Sequence, residues 1–277
     1  MRILVTGGTG FIGSNLINEL EKYPWELFAI KRKNSRSRII IRNRNVRWIE
    51  KDLSDITTED LNGVDMVVHL AAHSANIPYD DLENCIKGNV TTPLNFFKVA
   101  HKAGVKKYIA AGTCFEYGLS CANYEYVPTD APLLPIGPYA TSKAMASLAF
   151  REFASEERIT LNYLRIFQVY GVGEKEGRFW PSLCKAAIRG DDFGMSNGIQ
   201  VRDFISVDEV VSQIIATINN FHELAQGFDV KNIGTGVATE LKVFAQYWWE
   251  KLNAKGELKI GSQSMRSTDL IRCVAKV

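Results

Sequence analysis

A tyrosine and a lysine stand four positions apart in the segment Tyr-Ala-Thr-Ser-Lys, as Tyr139 and Lys143. On a helix, residues four apart share one face, so both side chains can reach the same ligand. A nearby ammonium group lowers the pKa of a phenol, which can then pass a proton to or from a carbonyl oxygen near neutral pH. We therefore expect Tyr139 and Lys143 to form a proton-transfer pair.

Thr113 could supply a hydroxyl group beside them, in the segment Gly-Thr-Cys-Phe-Glu-Tyr-Gly that begins at Gly112. This segment follows the apolar run 108–111, which predicts Thr113 at a strand end, where it can hydrogen-bond the same substrate oxygen as Tyr139. The alternative is that the hydroxyl only satisfies backbone groups. Cys114 has no partner that would make it a nucleophile, and we interpret it as a small apolar filler.

The segment Thr-Gly-Gly-Thr-Gly-Phe-Ile-Gly, residues 6–13, follows an apolar strand and opens an amphipathic helix. Such a turn lets backbone N–H groups and a helix N-terminus approach a pyrophosphate that any Cβ atom would block. The alternative is a plain tight turn. We expect a dinucleotide site, with Lys143 on the nicotinamide ribose. The loop residues expected to contact the dinucleotide are Gly7, Gly10, Phe11, Ile12 and Gly13.

The end of the second predicted strand indicates which dinucleotide binds. Enzymes that use NAD usually carry an acid there for the ribose diol, but this chain reads Lys-Arg-Lys-Asn-Ser from Lys31. Arg32, with help from Lys33 or Ser35, could instead bind a 2′-phosphate, which favours NADP(H) over NAD(H). Residues 31–47 hold eight basic residues and no acid. The alternative is therefore that these cations lie on a solvated loop and bind no ligand.

Two more strand ends are expected at the cofactor. Asp52 and Leu53 close the third strand, where a short acid can accept a hydrogen bond from the adenine amino group, although Asp52 could equally cap the next turn. His69 is interpreted as a packed strand residue. The small residues expected close beneath the cofactor, after the fourth strand, are Leu70, Ala71 and Ala72.

Alternating apolar runs and helix-like stretches must position these residues. The predicted strands are 3–6, 26–31, 46–50, 66–71, 108–111 and 160–167, with helices at 11–22, 89–103 and 139–157. That alternation predicts an α/β fold with a Rossmann-like doubly wound parallel sheet. A helix at 207–219 and a strand near 229–233 follow. We expect an NAD(P)-binding domain at 1–170 with return segments near 203–234, and a smaller C-terminal α/β substrate-binding lobe at 171–202 and 235–277.

The composition limits the class of protein. Lysine and arginine (33) nearly balance aspartate and glutamate (31), which gives no reason to expect nucleic acid or an anionic membrane as partner. The five cysteines are scattered, without a CxxC pair, so we expect reduced thiols and no metal site. The chain begins Met-Arg and a strand, and no apolar run reaches the ~18 residues of a membrane span. We expect no signal peptide and a cytoplasmic protein.

These segments resemble the NAD-dependent epimerase/dehydratase family of extended short-chain dehydrogenases/reductases. The resemblance rests on the glycine loop, His-Leu-Ala-Ala, the Thr113 segment, Tyr139 with Lys143, Leu-Arg-Ile-Phe-Gln-Val-Tyr-Gly at 164–171 and Arg-Asp-Phe-Ile-Ser-Val-Asp-Glu-Val at 202–210. It implies a nucleotide-diphosphate sugar substrate and Thr113, Tyr139 and Lys143 as catalytic residues. It places Asn89 near the cofactor and implies a homodimer through helices 89–103 and 139–157. The residues it places at the substrate are Cys114, Phe115, Gln168 and Arg202.

The residues after Thr113 narrow the reaction. Dehydratases of this family carry Asp-Glu there, whereas Cys114 and Phe115 cannot transfer a proton, so dehydration is not expected. Combined epimerase-reductases carry a cysteine where Phe115 stands and a histidine in the downstream loop, which residues 171–178 lack. Epimerisation at C4 with tightly held NAD and reduction of a 4-keto sugar by NADPH remain. Arg32 favours reduction.

Three segments resemble nucleotide-6-deoxyhexulose 4-reductases, including CDP-abequose synthase-like enzymes: 112–118, 173–181 and 266–269. We therefore expect NADPH-dependent reduction of the 4-keto group of a nucleotide-diphosphate 4-keto-6-deoxyhexose in deoxysugar biosynthesis. An NAD-dependent nucleotide-sugar 4-epimerase is one alternative. A catalytically impaired dinucleotide-binding regulatory protein is another, because the chain stops at Val277, earlier than family members usually do.

Overall fold

The computed structural model describes residues 1–266 and 269–277. Its strands are β1 (Arg2–Thr6), β2 (Glu26–Lys31), β3 (Arg47–Glu50), β4 (Met66–His69), β5 (Lys107–Thr113), β6 (Thr160–Ile166), β7 (Gln168–Tyr170), β8 (Phe193–Met195), β9 (Val201–Ser206), β10 (Gly227–Ile233), β11 (Ala238–Glu240), β12 (Leu258–Ile260) and β13 (Arg272–Cys273). Its α-helices are α1 (Phe11–Glu19), α2 (Leu82–Ile86), α3 (Thr92–Lys102), α4 (Pro138–Glu156), α5 (Phe179–Arg189), α6 (Val207–Asn219) and α7 (Leu241–Lys251). A π-helical turn, Lys87–Thr91, joins α2 to α3.

A seven-stranded parallel sheet forms the centre of the protein, in the order β3-β2-β1-β4-β5-β6-β10. The predicted α/β fold with a Rossmann-like doubly wound sheet is confirmed. In this order the chain reverses its direction of travel between β1 and β4. Ligands of such sheets bind at that reversal, outside the carboxyl ends of the strands.

The two faces of the main sheet follow from the alternation of side chains along each strand. Ile3 and Val5 of β1 lie in the core on one face, with α1 and α6, whereas Leu4 lies in the core on the other face, with α3 and α4. Both faces of the central strands are therefore covered. Apolar residues consequently run on without alternation in β1 and β4, as is usual for buried parallel strands.

The remaining strands form a smaller part of the fold. β11, β9 and β13 are neighbours in a second sheet, β7 pairs with β9, and β8 pairs with β12. Of the predicted return segments near 203–234, β10 joins the main sheet and α6 packs against α1, whereas β9 lies in the smaller sheet. The smaller part thus takes in residues on both sides of the expected boundary at 171.

Within residues 1–266 and 269–277, no helix has the length and apolar character needed to cross a membrane. The same residues contain no group of three or more histidine, cysteine, aspartate or glutamate side chains suited to hold a metal ion. All five cysteines are free thiols, and the Sγ atoms of Cys121 and Cys273 lie 3.4 Å apart.

His69, the last residue of β4, is buried among Phe96, Phe97 and Phe150. Its Nδ1 lies 2.7 Å from Oγ1 of Thr6. Burial, with a smaller effect of the Lys143 ammonium, lowers the pKa of His69 to about 3. His69 is therefore a neutral, packed strand residue, as the sequence indicated.

The buried imidazole should make the protein less stable in acid. An unfolded histidine titrates near pH 6.5, so between about pH 6.5 and pH 3 the unfolded chain binds a proton that the folded chain does not. The free energy of unfolding should fall as pH drops through this window, by up to about 1.4 kcal/mol per pH unit from this residue. Urea unfolding between about pH 7 and pH 5 should show a shallower dependence for His69→Asn. The exposed His222, replaced by asparagine, serves as control, and equal slopes for wild type and His69→Asn would contradict the prediction.

Candidate active site

Thr113, Tyr139 and Lys143 come together where the C-terminal end of β5 packs against the first turns of α4. They are 7%, 8% and 2% exposed, respectively. Pro138 occupies the first turn of α4, where its missing N–H costs no helical hydrogen bond, and it follows Gly137 with a φ of 85°. This start sets Tyr139 in the first turn and Lys143 one turn later. The structure thus brings the three predicted catalytic residues to one buried location.

Lys143 reaches from α4 to the main sheet. Its Nζ donates to the carbonyl oxygen of Ala111 in β5 at 2.6 Å. An ammonium group has three N–H donors, so others are left for a ligand. Burial lowers the pKa of Lys143, and the carboxylate of Glu116 acts in the opposite direction.

The pKa of Tyr139 differs from the sequence expectation. Burial raises it above the value of a free phenol, Glu116 raises it further, and Arg178 acts in the opposite direction. The spacing of Tyr139 and Lys143 shows only that they share a helix face, whereas burial, which spacing does not reveal, sets the pKa of the phenol. At neutral pH Tyr139 is therefore protonated and able to donate.

Thr113 is fixed by the turn Cys114–Glu116 that follows β5. The backbone N–H of Thr113 donates to Oε1 of Glu116 at 2.8 Å, and the backbone N–H of Phe115 donates to Oγ1 of Thr113 at 3.3 Å. This reciprocal arrangement is a capping box, for which Thr-x-x-Glu is the sequence signature. The hydroxyl accepts one backbone bond, as the alternative interpretation expected, and still has its own proton to donate to a ligand.

A buried ion pair lies beneath Thr113 that the sequence interpretation missed. Arg165 Nε donates to Oε2 of Glu116 at 2.9 Å, with the two side chains 5% and 0% exposed. The Tyr163 hydroxyl lies 2.9 Å from Oε1 of Glu116 and 3.1 Å from the carbonyl oxygen of Lys143. Arg165 also donates to the Thr129 carbonyl oxygen at 2.9 Å. The capping signature at Glu116 could have been found from sequence, but its partner is 49 residues away.

The sequence interpretation also missed the loop residue that covers Tyr139. The ring of Tyr79 stacks on that of Tyr139, with centroids 5.8 Å apart. In the same loop, Asn76 accepts a hydrogen bond from Arg178 at 3.1 Å. Arg178 also pairs with Glu174 at 2.8 Å, and burial raises the pKa of Glu174 to about 7. Residues just before α5 therefore hold the loop that covers Tyr139.

Buried Asn89 connects the loop at His73 to helix α4 by hydrogen bonds. Its Oδ1 accepts from the backbone N–H of His73 at 2.7 Å, and its Nδ2 donates to the His73 carbonyl oxygen at 3.1 Å and to Oγ of Ser142 at 2.9 Å. Ser142 in turn donates to the carbonyl oxygen of Tyr139 at 2.8 Å. These bonds link Asn89 to α4, and its expected contact with the cofactor stays a prediction.

The glycine loop leaves room that side chains would fill. Gly7 has a φ of 72°, and a Cβ atom there would lie 2.6 Å from the Ala71 nitrogen. A Cβ atom on Gly13 would lie 2.2 Å from the Gly7 carbonyl oxygen. The loop therefore closes directly against the end of β4 at the chain reversal, where Leu70 and Ala71 are half-buried. This cradle fits a pyrophosphate and would be blocked by larger residues. The other predicted loop contacts, Gly10, Phe11 and Ile12, begin α1 or immediately precede it.

A pocket of about 490 Å³ opens beside the loop, at the end of β2. Its lining residues are Thr9, Lys31, Ser35, Ser37, Arg38, Ile39, Ile40, Ile41 and Trp48. The hydroxyl of Ser35 is buried and has no hydrogen-bond partner among the described residues. Such an orphaned hydroxyl suits a polar ligand group. The pocket thus fits the adenosine end of a dinucleotide.

Of the predicted phosphate ligands, Ser35 lines this pocket, whereas Arg32 and Lys33 do not. Two cations that the sequence did not single out, Lys31 and the exposed Arg38, line it instead. The backbone N–H of Arg38 donates to the Thr9 carbonyl oxygen at 3.0 Å, which ties this loop to the glycine loop.

The two further strand ends expected at the cofactor contribute no residue to the lining of this pocket. Asp52 is exposed and makes no side-chain capping hydrogen bond to the next turn. Leu53 packs against the main core, and Ala72 is exposed. The adenine contact of Asp52 therefore stays a prediction.

The predicted substrate contacts fall in two groups. Cys114 is buried in a small core with Cys121 and Cys273, and Phe115 packs against it. Gln168 and Arg202 are half-buried on β7 and β9, which are paired strands of the smaller sheet. Within the segment 266–269, Ser267 and Thr268 lie outside the described residues.

Comparison with known proteins gives a family match over most of the chain. The model of the NAD dependent epimerase/dehydratase family matches residues 3–234. A CDP-abequose synthase from Salmonella muenchen is 25% identical over 274 residues, which cover 98% of this chain and 87% of the relative.

Two solved structures resemble the whole chain. One is a UDP-glucose 4-epimerase from Thermotoga maritima with UDP-glucose, at a TM-score of 0.87, 27% identity and coverage of 100% of this chain and 90% of that one. The other is MoeE5 in complex with UDP-glucuronic acid and NAD, at a TM-score of 0.86, 27% identity and the same coverage. The likeness therefore extends over both the main sheet and the smaller part of the fold.

Proposed function

Because this chain belongs to the NAD dependent epimerase/dehydratase family, we propose that it reduces the 4-keto group of a nucleotide-diphosphate 4-keto-6-deoxyhexose with NADPH. The carrying observation is the pocket at the end of β2. It is lined by Lys31, Arg38 and the hydroxyls of Thr9, Ser35 and Ser37, and none of its lining residues among those described is an acid. Such a lining suits a phosphate and offers no carboxylate to a ribose diol.

The residues at the end of β5 support reduction over dehydration. When bound, the cofactor supplies a hydride to the sugar carbon. Tyr139, protonated at neutral pH, gives its proton to the ketone oxygen, and the Thr113 hydroxyl donates a hydrogen bond to the same oxygen. Lys143 holds the ribose and places a positive charge beside the phenolate that forms. Cys114 and Phe115 offer no acid–base pair for removal of water.

The pocket predicts a measurable cofactor preference. Arg38→Ala should weaken NADPH binding by about 10-fold or more, because a hydrogen bond to a charged group is worth about 1.5–3 kcal/mol, and should leave NADH binding nearly unchanged. Arg32→Ala tests the same preference for a cation outside the pocket lining. Fluorescence titration with each dinucleotide measures both affinities. Arg44→Ala, in the same loop but outside the pocket lining, is the matched control. Equal weakening of NADPH and NADH would refute the phosphate contact.

A 4-epimerase is the second candidate. It is favoured by the likeness to the Thermotoga maritima UDP-glucose 4-epimerase over the whole chain. An epimerase takes and returns the same hydride, so it would be purified with tightly bound NAD and would interconvert UDP-hexoses without added cofactor. A reductase should instead consume NADPH in proportion to the product formed. Incubation of the purified protein with UDP-glucose, with and without NADPH, separates the two.

A further inference from the structure

We propose that Glu116 is a positioning residue of this active site, whose buried carboxylate orients Thr113 and is the counter-charge of the Lys143 ammonium. Its kinetic consequence rests on the proposed reduction. The counter-charge itself is a property of the folded protein and can be measured without turnover.

The hydrogen bonds of Glu116 lead to both catalytic groups. Oε1 accepts from the backbone N–H of Thr113, and the hydroxyl of Tyr163 lies within hydrogen-bond distance of both Oε1 and the Lys143 carbonyl oxygen. Lys143 Nζ donates to the Ala111 carbonyl oxygen, two residues before Thr113. The carboxylate and the ammonium therefore hydrogen-bond to backbone groups two residues apart at the end of β5, Thr113 and Ala111.

Gly112 leaves the space that the Glu116 carboxylate occupies. A Cβ atom on Gly112 would lie 2.7 Å from Oε1 of Glu116 and 2.4 Å from Cε1 of Tyr163, so only glycine admits both groups at this position. Glu116 is 0% exposed, and solvent does not screen a charge buried in this way. Burial raises the pKa of Glu116, whereas the guanidinium of Arg165, 2.9 Å away, and the Lys143 ammonium act in the opposite direction and favour the carboxylate. The carboxylate that these two cations favour is held at a fixed place behind Thr113.

The Glu116 carboxylate shifts the pKa of Lys143 and the pKa of Tyr139 in the same direction. It favours the ammonium form of Lys143 and disfavours the phenolate form of Tyr139, so it raises the pKa of both groups. Three other ionisable groups act on the pKa of Tyr139, namely Tyr79, Cys114 and Arg178. Those that act on Glu116 are Arg165, Lys143 and Tyr163, and Lys143 in turn lowers the pKa of the neighbouring His69. In the proposed reduction the active form carries a charged Lys143 and a protonated Tyr139. Both effects extend that form to higher pH.

Glu116→Gln should therefore move the high-pH decline of kcat to lower pH, by about 1 to 3 pH units, the usual effect of a neighbouring charge. A residue with only a structural role would lower kcat at every pH and leave the decline where it is. NADPH affinity at neutral pH should change little, because Glu116 is not among the residues of the cofactor cradle.

A second variant separates the effect of losing the Glu116 charge from the effect of destabilising the fold. Glu116→Gln leaves Arg165 buried without its carboxylate, so we pair it with Arg165→Gln in a double variant that restores neutrality to the pair. The double variant should recover stability and still show the shifted high-pH decline, because Lys143 still lacks its counter-charge. Glu157→Gln, at the other end of α4, is the control and should leave the profile unchanged. A wild-type profile in the double variant would overturn the proposal.

The counter-charge is tested directly by 13C NMR of protein labelled at the lysine Cε positions, with the Lys143 signal assigned by its loss in Lys143→Arg. Lys143 should lose its proton at lower pH in Glu116→Gln and in the double variant than in wild type. An unchanged titration midpoint would overturn the inference even if the enzyme reduces its sugar. A shifted midpoint without turnover on any 4-keto sugar would support the inference and refute the proposed function.

Discussion

Replacing Tyr139 by phenylalanine should lower kcat for the reduction by about 10²- to 10⁴-fold, the usual contribution of a positioned proton donor. The phenyl ring keeps the volume and the stacking on Tyr79, so only the hydroxyl is lost. The dissociation constant of NADPH should stay within about 3-fold of wild type, because binding energy at the pyrophosphate and the adenosine end is untouched. Steady-state kinetics and fluorescence titration measure the two quantities.

The separation of kcat from binding is the informative part of the Tyr139→Phe experiment. Tyr247→Phe removes a hydroxyl from an exposed tyrosine on α7 and should leave both quantities unchanged. Should Tyr139→Phe turn over at the wild-type rate, Tyr139 would not be the proton donor. A large loss of NADPH affinity would mean that the hydroxyl serves the cofactor instead.

Replacing Arg165 by methionine should lower the free energy of unfolding by about 3–5 kcal/mol, because it leaves the Glu116 carboxylate buried without its partner. Without the guanidinium, burial should raise the pKa of Glu116 further, so that the folded protein takes up a proton on acidification. The loss of stability should therefore be largest at high pH and should shrink as pH falls. Urea unfolding of wild type and variant at several pH values measures it.

The half-buried pair of His101 and Glu157 provides the comparison for Arg165. Glu157→Gln should change the free energy of unfolding by less than about 1 kcal/mol, because the Glu157 side chain is 38% exposed and solvent screens its charge. An effect of Arg165→Met no larger than that of Glu157→Gln would show that the buried pair contributes little. A loss that does not depend on pH would show that packing, and not an unpaired charge, causes it.

The main sheet could be predicted from sequence because its signals are local. The central strands β1 and β4 are built on runs of three apolar residues, 3–5 and 66–68, and Gly13 is required by a contact with Gly7 only six residues away. Gly7 itself packs against Ala71, which is a distant contact. The smaller sheet gives no such signal. β13 has only two residues, Arg272 and Cys273, and pairs with β9 from about 70 positions earlier in the chain. Pairings of this kind depend on the fold as a whole.

The site shows the same division between local and distant effects. Thr113, Tyr139 and Lys143 were found because each sits at a recognisable strand end or helix start. The ion pair of Glu116 with Arg165 was missed because it joins the turn after β5 to strand β6, 49 residues further along the chain. The direction of the pKa shift of Tyr139 was missed because burial causes most of it, and spacing does not reveal burial. Beside the pocket at the end of β2, Asn34 adopts a left-handed φ of 62°, Ser35 lines the pocket, and Arg32 does not. A turn of that kind cannot be assigned from residue type alone.

Deuterium transfer from NADPH to a sugar tests the central claim most directly. The protein is incubated with NADPH deuterated at the transferred position and with a small panel of nucleotide-diphosphate 4-keto-6-deoxyhexoses, and the products are analysed by mass spectrometry and NMR. We predict that at least one member gains one deuterium at C4 while NADPH is oxidised in equal amount, and that NADH reacts more slowly. No transfer to any member, together with interconversion of UDP-hexoses by protein-bound NAD, would contradict the reductase assignment.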